Sequence, residues 1–206
     1  MTLIIIIVTC IISIVAFSKR EWMVEMQFNP WSVYHRKQYY RLLSHGFLHA
    51  DWIHLFVNMF VLYSFGSLIE QYFHFFKEQN ITHFPVLNYL FLYVSAIVIS
   101  SLTTLKKHKE DVWYNAVGAS GAVSAIVFTS IFLDPWNKLY FFAIIPIPGI
   151  VFGALYLAYT HYMSKKSNDN INHDAHFIGA VYGFFYPLLI DPKLFWLFFN
   201  QLVSLK

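Results

Sequence analysis

The sequence predicts an all-α membrane protein, a bundle of six transmembrane helices with a long first loop that is partly embedded in the membrane. The first observation is composition: 58% of the 206 residues are apolar and only 12% are charged, and the mean hydropathy is +0.52. A soluble domain carries roughly 25% charged residues, so this chain has too few charges to cover a surface in water. Its length fits a single domain, residues 1–206.

The second observation is a set of six apolar runs. A helix needs about 20 residues to cross ~30 Å of hydrocarbon, with ~17 as a lower limit. The first run lacks a basic leading region and a small-residue cleavage site, so we expect a retained helix rather than a signal peptide. The six predicted spans are residues 1–17, 52–73, 84–105, 116–133, 139–163 and 173–190.

Two connecting segments are expected at the membrane interface. Residues 18–51 mix charged with Trp and Tyr side chains, which is typical of the headgroup boundary, and long loops in compact domains are often functional. The tail, 193–206, contains "LFWLFF" but is too short to span, so we expect it to lie along the interface. The net charge of +3 is spread along the loops and does not indicate nucleic-acid binding. A single cysteine, Cys10, excludes a disulfide framework and a zinc ribbon.

Polar residues inside predicted spans are informative, because each costs several kcal/mol in lipid unless it is satisfied. His54 and Asn58 in "HLFVN" are four residues apart, so they share one face of the second predicted span. Ser120 lies in "GASG" near the start of the fourth. Each has a structural alternative: a hydrogen-bonded pair can join helices, and a serine among small residues lets helices approach closely.

A histidine and two glycines form a stripe along one face of the sixth predicted span. His176, Gly179 and Gly183 recur at i, i+3 and i+7, so they lie on one face of the helix. Two glycines on that face would let another backbone come close, which would also bring His176 near the partner helix.

Helix-stop signals set the depth of the serine and the histidine. Ser120 precedes Asp134, which is followed by proline, by 14 residues, and His176 precedes Asp191, also followed by proline, by 15. At 1.5 Å per residue, both lie ~21–22 Å from the same membrane face. A nucleophile and its base are therefore expected at one level.

The start of the fourth span has a second expected role. The free N–H groups in the first turn of a helix form an anion site, and a helix that begins near Gly118 would place them around Ser120. With His54 and Asn58, these groups could stabilise the oxyanion of a tetrahedral intermediate. Gly118 and Gly121 leave room for a substrate carbonyl.

A Ser–His dyad is predicted rather than a triad. Asp174 is the acid nearest to His176 in sequence, but a separation of two residues places it on another side of the helix. His176 is expected to take the Ser120 proton and to protonate the leaving amine. "GASG" also resembles a hydrolase nucleophile elbow, but that turn needs a preceding strand, which the sequence does not predict.

Four separated motifs resemble those of the rhomboid family of intramembrane serine proteases, over nearly the whole chain. They are "YRLLSHGFLHADWIHLFVN" with His54 and Asn58, "GASG" with Ser120, "AHFIGAVYG" with His176, and Glu70, 12 residues after Asn58. The resemblance implies that Ser120 is the nucleophile and His176 the base. It also implies that the Ser120 N–H, His54 and Asn58 are the oxyanion donors.

The same resemblance implies an architecture and an activity. Six helices would surround a water-filled cavity that opens away from the cytoplasm. Transmembrane protein substrates would be cleaved there near a membrane boundary, within membrane lipid and without metal, ATP or another cofactor. Glu70 would have a structural role, and the compact chain resembles a form from the bacterial inner membrane.

Two positions depart from the family pattern. Many relatives carry Trp-Arg in the first loop, where this chain has Tyr40 and Arg41. An aromatic residue and the arginine remain, so we expect the loop to keep its structure. Some relatives place a tyrosine one turn after the nucleophile, packed on the catalytic histidine, where this chain has Ser124. Another group must then hold the His176 ring.

Charge placement conflicts with the orientation that the resemblance implies. With a cytoplasmic N-terminus, the outer connectors carry ten Lys and Arg residues and the inner side only four, Lys77, Lys138, Lys193 and Lys206. The positive-inside rule favours the reverse. We keep the family orientation as the prediction, because the first loop is long and partly embedded.

Other functions are weaker interpretations. His45, His49 and His54 could suggest a metal site, but no carboxylate or thiolate cluster accompanies them, so no metal is predicted. A catalytically inactive relative that binds membrane helices is the alternative function, although such members have generally lost the serine or the histidine. A transporter or channel would be expected to show broken helices, repeats or charges at mid-depth. Neither a substrate nor an oligomeric state is predicted.

Overall fold

The computed structural model describes residues 1–141, 144–166, 169 and 171–204, and its architecture is a helical bundle. It also contains a 3-10 turn, His45–Phe47, and two strands that form an antiparallel hairpin. The strands are β1 (Lys138–Phe141) and β2 (Ile145–Pro148). The helices are α1 (Thr2–Ser18), α2 (Arg20–Met26), α3 (Pro30–His35), α4 (Arg41–Ser44), α5 (Trp52–Glu78), α6 (Pro85–His108), α7 (Ser120–Leu133), α8 (Gly149–Lys166), α9 (His173–Phe185), α10 (Pro187–Ile190) and α11 (Leu194–Val203).

Two of the described helices, α5 and α6, are long and apolar enough to cross a membrane. The apolar helices α1, with 17 residues, and α7, with 14, are shorter. The boundaries of these four helices lie close to those of the first four predicted spans. The count of six spans stays a prediction.

Capping side chains start the helices that carry the candidate site. The Asp51 carboxylate accepts from the His54 N–H at 2.8 Å and caps α5. The Asn172 side chain accepts from the Ala175 N–H at 3.0 Å and caps α9. Both residues thereby satisfy N–H groups that a helix leaves free at its start.

The predicted fifth span, 139–163, is wrong in its first part, and the protein is not purely α-helical. Residues 138–141 pair with 145–148 as β1 and β2, and α8 begins only at Gly149. Pro146 and Pro148 lack the N–H that a helix interior requires, whereas a strand at the edge of a sheet tolerates proline. Residues 142 and 143 of that predicted span lie outside the described residues.

The short helix α7 is the centre of the bundle. Every residue from Gly121 to Leu133 is buried, and the helix packs against α5, α6 and α9. It ends at Leu133 with Asp134 as its C-cap, as the Asp-Pro signal predicts. The sixth predicted span, 173–190, is divided into α9 and α10, because Pro187 has no N–H for the Gly183 carbonyl.

One end of the bundle collects the starts of α5, α7 and α9 and the ends of α6 and α8. Lys107 at the end of α6 donates to the Ser164 carbonyl of α8 and to Asp174 of α9, at 3.4 and 3.2 Å. We call this the cavity end. The described residues of the predicted outer connectors lie there, so the excess of basic residues is an excess at the cavity end. Lys206, counted for the opposite side, lies outside the described residues.

The tail forms a helix, α11, that packs on the opposite end. Phe198 stacks on Phe132 with ring centroids 5.0 Å apart, and the Trp136 indole donates to the Gln201 carbonyl at 3.1 Å. Trp196 and Phe199 remain exposed. The predicted position of the tail along the membrane interface stays a prediction.

Candidate active site

Ser120 is the first residue of α7. Ala119 is the N-cap, and the first intrahelical bond runs from the Val123 N–H to the Ala119 carbonyl at 2.9 Å. The N–H groups of Ser120, Gly121 and Ala122 therefore have no carbonyl partner within the helix. The helix begins two residues later than the predicted start near Gly118, which places the serine hydroxyl beside the free N–H groups.

Gly118 sets the shape of this turn. Its φ is +128°, a conformation that L side chains rarely adopt. A Cβ atom added there would lie 2.8 Å from Cε1 and 3.0 Å from Nε2 of His54, and 3.8 Å from the Ser120 hydroxyl. The His54 ring and the Ser120 hydroxyl thus lie within 4 Å of one point, which is open because residue 118 has no side chain.

The hydrogen bonds of His54 define which ring nitrogen is a donor. Its Nδ1 faces the Ala50 N–H at 3.4 Å and accepts from it. The proton of the neutral ring is then on Nε2, the nitrogen nearest to Gly118. The His49 ring packs edge-on against His54 with centroids 4.9 Å apart. His54 is thereby oriented as a hydrogen-bond donor toward the start of α7.

Asn58 lies one turn further along α5 and is 6% exposed. Its side-chain amide donates to the His54 carbonyl at 2.9 Å. That bond uses one of the two amide hydrogens, so one hydrogen is left for another acceptor. Asn58 and His54 line the same cavity as Ser120.

The backbones of α7 and α9 are in direct contact through the predicted glycine stripe. A Cβ atom on Gly179 would lie 2.1 Å from the Gly121 carbonyl oxygen, and one on Gly183 would lie 2.1 Å from the Ala125 carbonyl oxygen. No side chain fits at either position. The contact holds the helix of His176 against the helix of Ser120, as the stripe predicts.

His176 lies above this contact and lines the cavity with Ser120. Its helix is fixed at the start by Asn172, whose side chain also hydrogen bonds with Thr104 of α6 at 3.1 Å. Asp174 pairs with Lys107. The structure thus gives Asp174 a partner other than His176, consistent with its expected place outside the catalytic group.

The cavity has a volume of about 1250 Å³ and lies at the cavity end of the bundle. Its lining combines polar groups with apolar side chains from α5, α7 and α8. The described residues contain no cluster of three His, Cys, Asp or Glu side chains that could hold a metal ion. The polar residues of the lining include His54, Asn58, Ser120, Ser124, Tyr156 and His176.

Ser124 has a partner that the sequence did not reveal. Its hydroxyl lies 2.8 Å from the phenolic oxygen of Tyr156, which reaches the cavity from α8. The Tyr156 ring also packs against Phe128 and Phe152. An aromatic residue is therefore present in this part of the cavity, but it comes from α8 rather than from α7. Only a repeated aromatic spacing along α8 hinted at it.

The first loop, residues 18–51, is bonded to the turn that precedes α7. Arg41 is 8% exposed and donates from Nη1 to the carbonyls of Val24 and Gln27 at 2.9 and 2.8 Å, which ties the loop together. The carbonyl of His45 accepts from the Gly118 N–H at 3.0 Å. Burial lowers the pKa of the His45 side chain to about 4, so its ring is neutral at pH 7.

Glu70 joins α5 to α1 at the opposite end. Its carboxylate accepts from the backbone and side chain of Thr2 and lies 2.8 Å from the Met1 amino group. The Thr2 hydroxyl also bonds with the Tyr89 hydroxyl at 2.8 Å. These contacts are structural ones, in the part of α5 that is remote from the cavity.

Comparisons with known proteins give one consistent result. A family model described as the Rhomboid domain matches residues 36–193. RHOMBOID-like protein 12, mitochondrial, of Arabidopsis thaliana is 29% identical over 154 residues, which cover 68% of this chain and 43% of that protein. Rhomboid-like protein 11, chloroplastic, of the same plant is 31% identical over 154 residues, which cover 70% and 50%. The chain spans about half the length of the curated relatives it matches.

Proposed function

The chain belongs to the rhomboid family and is an integral membrane protein, and we propose that it is a serine endopeptidase that cleaves transmembrane proteins near a membrane boundary. One observation carries the proposal: Ser120, His176, His54 and Asn58 line a single cavity at the start of α7. The free N–H groups of that helix lie beside the serine, as acyl transfer requires.

The proposed reaction begins with attack of the Ser120 hydroxyl oxygen on a substrate carbonyl carbon, while His176 takes the hydroxyl proton. The negative oxygen of the tetrahedral intermediate accepts from the Ser120 N–H, from Nε2 of His54 and from the free amide hydrogen of Asn58. The carbon–nitrogen bond then breaks, and His176 gives its proton to the leaving amine. Water hydrolyses the ester on Ser120 with His176 as the base. No cofactor takes part in these steps.

The membrane setting extends the proposal. Six membrane-crossing segments would place Ser120 ~21 Å from the face at which α7 ends, below the opposite lipid boundary. Access of water through the cavity would then allow hydrolysis inside the bilayer. The predicted substrates are transmembrane helices. The names of the plant relatives refer to mitochondria and chloroplasts, so the bacterial inner membrane, with the cavity opening away from the cytoplasm, has no support from them and stays a prediction.

A fluorophosphonate probe tests the proposal directly. The probe forms an oxygen–phosphorus bond with an activated serine and releases fluoride, while the base takes the hydroxyl proton. We expect labelling of the wild type in detergent and in liposomes, and none of Ser120→Ala or His176→Ala. Ser64→Ala is the matched control, because Ser64 is exposed on α5 and donates to the Phe60 carbonyl of its own helix.

The same experiment separates the proposed protease from the alternative function. Absence of labelling in a folded wild-type protein would overturn the proposal. It would favour a rhomboid-like protein that binds membrane helices without cleaving them.

A further inference from the structure

Asp169 and His173 form a hydrogen-bonded pair beside the candidate base, in which His173 is buried and Asp169 is exposed. His173, the first residue of α9, is 3% exposed, and its Nε2 lies 3.1 Å from the Asp169 carboxylate. The carboxylate is itself held, because Oδ1 accepts from the Ile171 N–H at 3.1 Å. Asp169 also lines the cavity that contains His176.

The ring of His173 packs against the ring of His176. The two imidazoles pack edge to face with centroids 6.1 Å apart and an interplanar angle of 74°. On its other side His173 meets the Tyr159 ring of α8, 5.8 Å away and at 83°. A carboxylate on one side and an aromatic ring on another leave the His173 ring little freedom.

The bond to Asp169 helps to fix the His173 ring. Nε2 donates to Asp169, while Nδ1 is buried and has no hydrogen-bond partner among the described residues. The orientation of the ring therefore depends on the Asp169 carboxylate and on the neighbouring rings.

We propose that His173, held by Asp169, is a positioning residue that orients the His176 ring during peptide-bond cleavage. The inference rests on the proposed function. It answers the question left by Ser124: the side chain packed on the candidate base is an imidazole from its own helix.

The other groups that act on His176 are few. From α5 it faces His54, and from its own helix and the preceding loop it faces His173 and Asp169. From α8, Tyr156 lines the same cavity. Lys107 of α6 is engaged by Asp174. Asp169 is the carboxylate that bonds with His173, so its removal should loosen the ring that packs on the base.

The experiment measures the rate of fluorophosphonate labelling between pH 5 and pH 9. For Asp169→Asn we expect a labelling rate several-fold lower across this pH range, because an amide oxygen holds the His173 ring less firmly than a carboxylate does. His173→Phe keeps a ring against Tyr159 but loses the bond to Asp169, and we expect a rate about tenfold lower. In that background Asp169→Asn should have little further effect on the rate, because the two residues act as a unit.

His161→Gln is the matched control, since His161 packs on Phe177 of α9 at the same end, 5.5 Å away. Its rate should stay within about twofold of the wild type. Labelling of wild type, Asp169→Asn and His173→Phe at equal rates, with one pH profile, would overturn the inference and leave the proposed function intact. A wild type that does not label would overturn both.

Discussion

The α7–α9 pair has two halves, an upper half toward the cavity end and a lower half toward the opposite end. The two halves use the same two helices in opposite ways. Toward the opposite end, Gly183 lies against the Ala125 backbone so closely that no side chain fits between them. Toward the cavity end, the helices bound a cavity of about 1250 Å³ that contains Ser120 and His176. Close contact in the lower half fixes the relative position of Ser120 and His176 in the upper half. The difference shows that close packing and an open cavity can be combined in one helix pair.

The largest expected effect comes from breaking the lower half. In Gly183→Ala the new Cβ would lie 2.1 Å from the Ala125 carbonyl oxygen, so the helices must separate. We expect a loss of about 1–3 kcal/mol in the free energy of unfolding and loss of fluorophosphonate labelling, measured by unfolding in detergent and by the probe.

Gly153→Ala is the matched control for that change. Its Cβ would meet side-chain atoms rather than backbone, Cε1 of Phe128 at 3.3 Å and Cδ1 of Ile131 at 3.4 Å, and alanine favours a helix by about 1 kcal/mol over glycine. A Gly183→Ala protein as stable and active as Gly153→Ala would show that the close contact is not needed.

The next effect tests the donors of the upper half. For His54→Ala we expect a reaction rate 100–1000-fold lower, by the usual magnitude for loss of one oxyanion donor. For Asn58→Ala we expect about a tenfold loss, because one amide hydrogen is already bonded to the His54 carbonyl. Rates measured on a model transmembrane substrate would check the order. Equal losses in the two variants would contradict it.

A smaller effect is expected where α8 meets the upper half. Tyr156→Phe removes the hydrogen bond to Ser124, which spans 2.8 Å, and should cost about 0.5–1.5 kcal/mol of stability. Adding Ser124→Ala to that variant should cost little more, since the bond is already lost. Unfolding of the two single variants and the double variant in detergent measures this coupling. Additive losses would mean that the two hydroxyls act independently.

The last expected effect is a pH dependence of stability from the first loop. The folded pKa of His45, about 4, lies below the ordinary value of 6.5 because the ring is buried. The unfolded chain therefore binds a proton first, so stability is complete above pH 6.5 and falls as the pH decreases toward 4. The loss is at most roughly 3 kcal/mol, and thermal unfolding at several pH values measures it.

His45→Asn should flatten this dependence without removing it. Burial also lowers the pKa of His49, to about 3, so that residue keeps a contribution of the same sign. A variant with the same pH dependence as the wild type would show that His45 is accessible to protons in the folded protein.

The sequence predicted most of this arrangement, because lipid imposes simple rules. Long apolar runs must be helices, so α5 and α6 lie close to their predicted boundaries. The glycine spacing on α9 predicted a close helix contact, and the Asp-Pro signals predicted where α7 and α10 end. The first part of the fifth predicted span was wrong, because "IPIP" is as apolar as a membrane span, whereas its prolines disfavour a helix.

The rest depends on contacts between distant segments. The aromatic spacing along α8 does not identify Ser124 as the partner of Tyr156, and no spacing predicts that Asp169 holds His173 beside His176. The positive φ of Gly118 is also invisible in the sequence, since glycine is equally common where a small side chain is needed for packing.

The shortness of α7 has a consequence for the host membrane. Its 14 residues extend for ~21 Å, and the hydrocarbon of different membranes varies in thickness by several ångströms around ~30 Å. With one end of the helix at a lipid boundary, the distance from Ser120 to the other boundary changes with that thickness. Acyl-chain length in the host bilayer would then select which peptide bond of a helix comes to lie at the serine.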